Sequence, residues 1–156
     1  MRIVDWDPAL ASHFHDINAE WIEAMFELEA ADRAVLDDPQ GTIIAHGGAV
    51  LFVEAPGLGI VGTCALKPDG TGGFELTKMG VRESARGLKA GEFLLVKVLA
   101  RAQAMAVEEL YLLTNKKCAA AIHLYEKLGF VLDAGVMERH GGAYGRCDVA
   151  MLYTGG

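Results

Sequence analysis

The sequence has few of the features that would crosslink a small fold or anchor it in a membrane. Its three cysteines, Cys64, Cys118 and Cys147, are odd in number and form no Cys-x-x-Cys pair. We therefore expect free thiols in a reducing, cytoplasmic compartment. The sequence also lacks an apolar run of about 18 residues and an N-terminal signal-peptide pattern, so we expect neither a membrane span nor a secretory leader.

Positive charge is scarce as well. Lysine and arginine total 14 against 21 aspartate and glutamate residues, a net charge of −7. Nucleic-acid binding needs a basic face, so we expect no nucleic-acid partner. The five histidines do not show the spacing of metal ligands, and no metal site is predicted. The 52% hydrophobic and 22% charged residues are typical of one globular domain, predicted to span residues 1–156.

The hydrophobic pattern alternates between strand-like and helical along the chain. The predicted strands lie at 2–6, 42–45, 49–54, 59–66, 73–81, 110–113, 130–136 and 148–153. One or two helices are predicted within 8–29, a long one at 92–108, and another between Asn115 and Gly129. The polar segment 32–41 is predicted to be loop and turn. This order indicates an α+β domain with a mixed sheet.

A glycine-containing loop joins the strand that ends at Val81 to the long helix. It reads Arg86-Gly87-Leu88-Lys89-Ala90-Gly91 and is followed at once by Glu92. The unpaired N–H groups at a helix start favour an anion, and glycines let a diphosphate approach the backbone. A solvated loop before a helix would have the same composition, so this segment alone leaves both interpretations open.

A second glycine motif has a simpler interpretation. Residues 57–62 match Gly-x-Gly-x-x-Gly, the pattern of dinucleotide-binding loops. That function requires a helix to begin there, whereas the residues that follow are strand-like. We therefore predict a hairpin turn.

Taken with its neighbours, the loop before the long helix resembles the GCN5-related N-acetyltransferase (GNAT) family. The resemblance extends from about Asp37 to Phe130. Its most specific part is Asn115 followed by Ala121-Ile122-His123-Leu124-Tyr125-Glu126-Lys127-Leu128-Gly129-Phe130. Lys89 departs from the family pattern, because the middle glycine of the coenzyme A loop is expected there. The lysine either narrows the backbone conformations of the loop or supplies a cation to a phosphate.

The resemblance implies a fold and an activity. The fold is a mixed, mostly antiparallel sheet of six to seven strands, flanked by helices and splayed into a V-shaped cleft. The activity is direct transfer of the acetyl group of acetyl-CoA, the cosubstrate, to a primary amine of a small molecule. Two alternatives stay open: a protein lysine or N-terminal acetyltransferase, and a non-catalytic domain that binds coenzyme A and regulates a partner. Dimers are common in the family, so a homodimer is one possibility, and the oligomeric state stays open.

The resemblance also implies roles for individual residues. Tyr125 would give a proton to the departing thiolate, and Glu75 would take the proton of the amine, unless a water chain does so. Asn115 would contact the pantetheine arm or only cap the following helix. The cofactor-binding set is Met79, Gly80, Val81, Arg86, Gly87, Leu88, Lys89, Ala90, Gly91, Glu92, Asn115 and Tyr125.

Residues near the acceptor amine are expected from the first helices and the last loop. The candidates are Trp21, Met25, Phe26, Tyr144 and Arg146. An arginine such as Arg146 or Arg33 would bind a substrate carboxylate in a two-pronged pair, which would suit an amino-acid-like acceptor.

Overall fold

A seven-stranded mixed sheet forms the centre of the structure, a computed structural model that describes residues 1–155. Its strands are β1 (Arg2–Asp5), β2 (Ala49–Ala55), β3 (Gly59–Pro68), β4 (Gly73–Val81), β5 (Glu109–Thr114), β6 (Phe130–Leu132) and β7 (Val149–Tyr153). They are ordered β1-β2-β3-β4-β5-β7-β6, and only the β4–β5 pair is parallel. The predicted fold class is confirmed.

Within residues 1–155, six α-helices flank this sheet. They are α1 (Ala11–Met25), α2 (Ala30–Leu36), α3 (Pro39–Thr42), α4 (Ala90–Ala104), α5 (Ala119–Lys127) and α6 (Ala134–His140). Side chains of β2 alternate between the two faces of the sheet, as strand geometry requires. Val50 and Phe52 pack in the cluster that contains α1 and α2, whereas Leu51 and Val53 pack in the cluster that contains α4. None of the helices within residues 1–155 has the length and apolar composition needed to cross a membrane.

The segment between α1 and β2 differs from the prediction. Residues 32–41 were expected to form loop and turn and 42–45 a strand, but the segment forms α2, α3 and a 3-10 turn at Ile44–His46. The side chain of Asp38 accepts a hydrogen bond from the Gly41 N–H, which starts α3. Gly47 then ends the 3-10 turn in the left-handed conformation. Local capping thus outweighs the strand propensity of four residues.

Two further elements also differ from the prediction. The strand predicted at 130–136 ends at Leu132, because the Asp133 side chain accepts from the Val136 N–H and caps α6. The helix predicted at 92–108 spans Ala90–Ala104. The hairpin predicted at the glycines of 57–62 is confirmed, since β2 and β3 are antiparallel neighbours.

The sheet opens between its two parallel strands. β4 pairs with β5 only from Gly73 to Glu75, although both strands continue beyond that point. The opening coincides with a β-bulge, at which two residues of β4, Lys78 and Met79, lie opposite one residue of β3, Cys64. Lys78 has a φ of 53°, and a bulge of this kind bends and twists its strand. The predicted V-shaped cleft is confirmed.

Candidate active site

A cavity of about 440 Å³ lies in the split between β4 and β5. This volume is within the range of small-molecule sites in proteins. Its walls come from the end of α1, the bulged part of β4, the end of β5, the first turns of α5 and the loop before β7. The bulge therefore creates the site, because it separates the strands whose side chains would otherwise close the sheet.

The first turn of α4 presents unpaired N–H groups. The amides of Ala90, Gly91 and Glu92 have no acceptor within the helix, and no side chain caps them. The Leu88 N–H, in contrast, donates to the Ala85 carbonyl at 3.3 Å. The loop can therefore offer an anion the amides of the helix start, but not the amide of Leu88, which the sequence analysis had included.

Lys89 adopts the backbone conformation that a glycine would adopt. Its φ is 59°, in the left-handed region, and it directly precedes α4. The left-handed conformation costs an L-residue other than glycine about 1–2 kcal/mol of conformational free energy. The substitution therefore does not reroute the loop. It adds an exposed cation at the cost of local strain.

Some of the other charged side chains around the loop already form hydrogen bonds or ion pairs within the protein. Arg82 donates from Nε to the Ile60 carbonyl at 3.2 Å, and its Nη2 lies 3.1 Å from His13 Nδ1. Glu92 is paired with Lys127, with Nζ and Oε1 2.5 Å apart. Arg86 lines the cavity. Arg86 and Lys89 are therefore the cations of this loop that an anion could reach.

Part of the predicted cofactor set lines the cavity, namely Met79, Gly80, Val81, Arg86, Gly91, Asn115 and Tyr125. Gly87, Leu88, Lys89, Ala90 and Glu92 belong to the loop and the helix start but are not in the cavity wall. Gly80 has a packing reason to be glycine, because a Cβ there would lie 2.5 Å from Cδ1 of Trp21. The ring of Trp21 thus packs directly on the bulged strand.

The hydroxyl of Tyr125 has only a weak partner. The side chain is 7% exposed, and its Oη donates to the Met79 thioether sulfur at 3.9 Å. Burial raises the pKa of Tyr125 above its usual value, so the hydroxyl keeps its proton. A thioether is a poor acceptor, and a stronger acceptor placed in the cavity could take over this hydrogen bond.

Asn115 does not cap α5, for which Cys118 is the N-cap residue. Its Nδ2 donates to the Arg146 carbonyl at 2.7 Å, and its Oδ1 accepts from the Lys117 N–H at 2.9 Å. The capping alternative is therefore wrong. Asn115 joins the end of β5 to the loop before β7 and forms part of the cavity wall between them.

Glu75 lies behind the cavity wall. It is 7% exposed and does not line the cavity, but its Oε2 accepts from the hydroxyl of Tyr144 at 3.4 Å, and Tyr144 does line it. Burial raises the pKa of Glu75, against the opposing effect of the nearby Lys78 charge. Glu75 could therefore exchange a proton with the cavity through the hydroxyl of Tyr144 or that of Thr77, which also lines the cavity.

A buried ion network, which the sequence analysis missed, connects α2 to the bulge. Asp32 is fully buried and accepts from Lys78 Nζ at 2.8 Å and from Arg146 Nη1 and Nη2 at 2.6 and 2.7 Å. Burial alone would raise the pKa of Asp32, but the Arg146 hydrogen bond and the Lys78 charge hold it well below its usual value. The sequence feature that could have revealed this network is Lys78, a lysine within a buried strand, because a buried charge needs a partner.

The acceptor-side residues proposed from the sequence come together here. Trp21, Met25, Phe26, Tyr144 and Arg146 all line the cavity. Arg33 is exposed on α2 and is not in the wall, so its role as a carboxylate ligand is not supported. Arg146 lies over the ring of Tyr144, with Cζ 5.0 Å from the centroid.

A sheet split by a bulge, with an uncapped helix start beside the split and a protonated tyrosine inside it, brings an anion-binding position and a proton donor together at one cavity. The model of the Acetyltransferase (GNAT) family matches residues 6–130. The chain belongs to this family of acetyltransferases, as its sequence motifs indicate. A sequence comparison with curated proteins gave no match.

Solved structures of acetyltransferases share the fold. A GNAT-family acetyltransferase from Staphylococcus aureus Mu50 superposes with a TM-score of 0.85 at 20% identity, over 97% of both chains. The PaiA N-acetyltransferase of Thermoplasma acidophilum in complex with coenzyme A gives 0.71 at 15%, over 98% of this chain and 99% of that one. A spermidine N-acetyltransferase SpeG chimera of Vibrio cholerae and hSSAT gives 0.71 at 18%, over 97% and 93%.

Proposed function

We propose that this protein transfers the acetyl group of acetyl-CoA directly to the primary amine of a small molecule. The observation that carries the proposal is the continuity of one cavity. Its wall includes Gly91 and Arg86 at the helix start, the Tyr125 hydroxyl, and Lys78 and Arg146 of the buried network. An anion-binding end, a proton donor and a separate polar end therefore meet in one space.

The residues present fit acetyl-CoA. The first-turn amides of α4 together with Arg86 and Lys89 would hold the diphosphate. The separated edges of β4 and β5 leave room for an extended arm beside Met79 and Gly80. When bound, acetyl-CoA supplies an activated acetyl thioester, so the protein has to orient it and manage protons.

The chain's own groups can manage both protons. The Tyr125 hydroxyl would donate to the departing sulfur, because burial keeps it protonated and its present partner is weak. An amine proton would pass to the Tyr144 oxygen as the Tyr144 proton moves to Glu75, along the hydrogen bond already formed. Glu75 is then a positioning and proton-accepting group behind the wall, while Tyr144 contacts the acceptor.

Two measurements test the proposal in sequence. Acetyl-CoA should raise the melting temperature of the protein, since a ligand that binds the folded state stabilises it. A panel of small amines should then trigger release of the coenzyme A thiol. Stabilisation without release by any amine would instead support a regulatory coenzyme A-binding domain. A cytoplasmic location and a homodimer stay predictions.

Replacement of Tyr125 by phenylalanine tests the proton donor. Removal of a general acid costs on the order of a hundredfold in rate, so kcat should fall by about that factor. Acetyl-CoA binding should change little, because the ring and its edge-on contact with Phe130 remain. Tyr153→Phe is the matched control, since Tyr153 also packs on Phe130 but lies outside the cavity wall. Equal turnover in the Tyr125 and Tyr153 variants would remove the proposed role.

A further inference from the structure

The charges in the cavity wall all have one sign. The charged residues that line it are Lys78, Arg86, Lys117 and Arg146. Within residues 1–155, the wall includes no aspartate and no glutamate. This is unexpected for a protein with a net charge of −7, and it makes the cavity a poor site for a polycation.

The acidic groups next to Arg146 already pair with groups of the protein. Both oxygens of Asp32 accept from the protein, Oδ1 from Lys78 and Arg146, and Oδ2 from Arg146 and the Glu29 N–H. Glu29 Oε1 accepts from the Gly145 N–H at 2.8 Å, and Oε2 accepts from the N–H and Nη1 of Arg146. Asp32 therefore has no free acceptor position, and Glu29, which does not line the cavity, already pairs with Arg146. Glu75 faces Tyr144 from behind the wall.

Two of the basic side chains in the wall, Lys117 and Arg146, have donors that no carboxylate of the described residues occupies. Lys117 has no carboxylate within 4 Å among the described residues, and its Nζ lies over the ring of Phe26, 5.6 Å from the centroid. Arg146 approaches the same ring, with Cζ at 5.7 Å. Its Nε–H has no partner in the described structure. One free ammonium and the remaining donors of one guanidinium thus flank a single aromatic ring in the wall.

We infer that the acceptor carries a carboxylate beside its amine, and that Lys117 and Arg146 bind this carboxylate at the Phe26 end of the cavity. The inference rests on the proposed function and adds the class of its acceptor. Asp32 contributes indirectly. Its two-pronged pair holds the guanidinium in place, so the donors that stay free have a fixed direction. The amine of such an acceptor would then lie toward Tyr144.

The same charges disfavour polyamine acceptors. A polyamine needs carboxylates or open aromatic faces for its additional ammonium groups. Here no carboxylate of the described residues lines the cavity, and Phe26 and Tyr144 already have cations over their rings. An additional ammonium group of a polyamine would lie near Lys117 and Arg146 without a carboxylate partner, and the repulsion between these like charges would weaken binding. A monoamine without a carboxylate would fit sterically but would lose the ion pair.

The test compares matched acceptors in the thiol-release assay. Each amino acid, for example methionine, leucine or phenylalanine, is paired with the amine that lacks its carboxylate, and spermidine is included. The best amino acid should exceed its matched amine, and also spermidine, by at least about tenfold in kcat/KM. Equal or faster acetylation of the matched amine or of spermidine overturns the inference and leaves the proposed function standing. If acetyl-CoA binds but no amine releases thiol, the proposed function fails first and the inference fails with it.

A pair of lysine variants locates the carboxylate site. Lys117→Gln should raise the KM of the preferred amino acid by about five- to tenfold, with little change for the matched amine or for acetyl-CoA. Lys116→Gln is the control, because this neighbouring residue does not line the cavity. Equal effects of the two variants would contradict the assignment. An increase in the KM of acetyl-CoA instead would place Lys117 at the cofactor.

Discussion

Replacement of Asp32 by asparagine would leave two basic side chains without the charge that neutralises them. The loss affects Lys78 more than Arg146. The Lys78 side chain is 2% accessible, and its ammonium group cannot reach solvent without moving the bulge. Arg146 has an alternative, since its Nη1 also lies 3.3 Å from Oε2 of Glu29. The variant therefore tests one buried ion pair above all, that of Asp32 with Lys78.

The magnitude follows from this burial. Removal of one partner of a buried pair costs about 3–5 kcal/mol, mainly because the other charge stays desolvated. For a domain of this length, each kcal/mol lowers the melting temperature by about 2–4 °C, which gives a decrease of about 6–20 °C. Domains have a total stability of about 5–15 kcal/mol, so the folded variant should be measurable but marginal.

Thermal and urea unfolding of the wild type and of Asp32→Asn measure the effect. Asp16→Asn is the control, because that exposed residue of α1 pairs only with a surface histidine. Lys78→Met combined with Asp32→Asn should recover part of the loss, since the double variant removes the cation as well. A decrease below about 1 kcal/mol in the single variant, or no recovery in the double variant, would refute the burial argument.

The pH dependence of the same difference has a definite sign. The pKa of Asp32 is held below its ordinary value of 3.8, so its contribution is present above that pH and is lost only as the pH falls through the lower folded-state value. The difference in stability between the wild type and Asp32→Asn should therefore stay constant or grow as the pH falls from about 8 to 5, because burial lowers the pKa of Lys78 and the variant lacks the Asp32 charge that opposes this effect. A difference that decreases as the pH falls through this range would mean that Asp32 is not ionised in the folded protein.

Two further substitutions test the proton path and the loop. Glu75→Gln should lower kcat/KM and remove an acidic limb whose apparent pKa lies above 4.5, the ordinary value for glutamate, because burial raises the pKa of Glu75. Glu126→Gln, at an exposed position of α5, is its control. An acidic limb that is unchanged in Glu75→Gln would mean that another group is the base. Lys89→Gly should raise the melting temperature by relieving about 1 kcal/mol of left-handed strain, yet weaken acetyl-CoA binding a few fold. Lys89→Asn, which tolerates the conformation, should only weaken binding, and unchanged binding in both would show that Lys89 does not meet a phosphate.

The sequence was most informative where local pattern and motif coincide. Strand β4 was predicted with its observed bounds of Gly73 and Val81, because glycines and a change of period mark both ends. The end of α5 was likewise marked by Gly129, which has a φ of 114°. These features depend on neighbouring residues only. Local pattern also predicted the existence of α4, although its start lies two residues earlier than expected.

Local pattern failed where partners are distant in the sequence. Helix α2 has seven residues, too few for a helical period to be recognised, and one of them is a buried aspartate. Its burial depends on Lys78, 46 positions away, and on Arg146, 114 positions away. No window along the chain contains these three residues together. The hydrogen bond from Tyr144 to Glu75, which separates Glu75 from the cavity, spans 69 positions and was equally invisible.

The two halves of the candidate site therefore differ in how far sequence motifs can describe them. The proposed cofactor half lies within the segment that resembles the family, from Asp37 to Phe130, and the ligands proposed for it are mainly backbone amides at the start of α4. The acceptor half is built largely from outside that segment, by Phe26, Glu29 and Asp32 before it and by Tyr144 and Arg146 after it. Because Glu29 and Asp32 already pair with Lys78 and Arg146, they are not available to a substrate ammonium group, and the proposed carboxylate site relies on Lys117 and on the donors of Arg146 that stay free. Relatives that share the cofactor motif but lack this acidic pair should therefore differ in acceptor class while keeping the same fold.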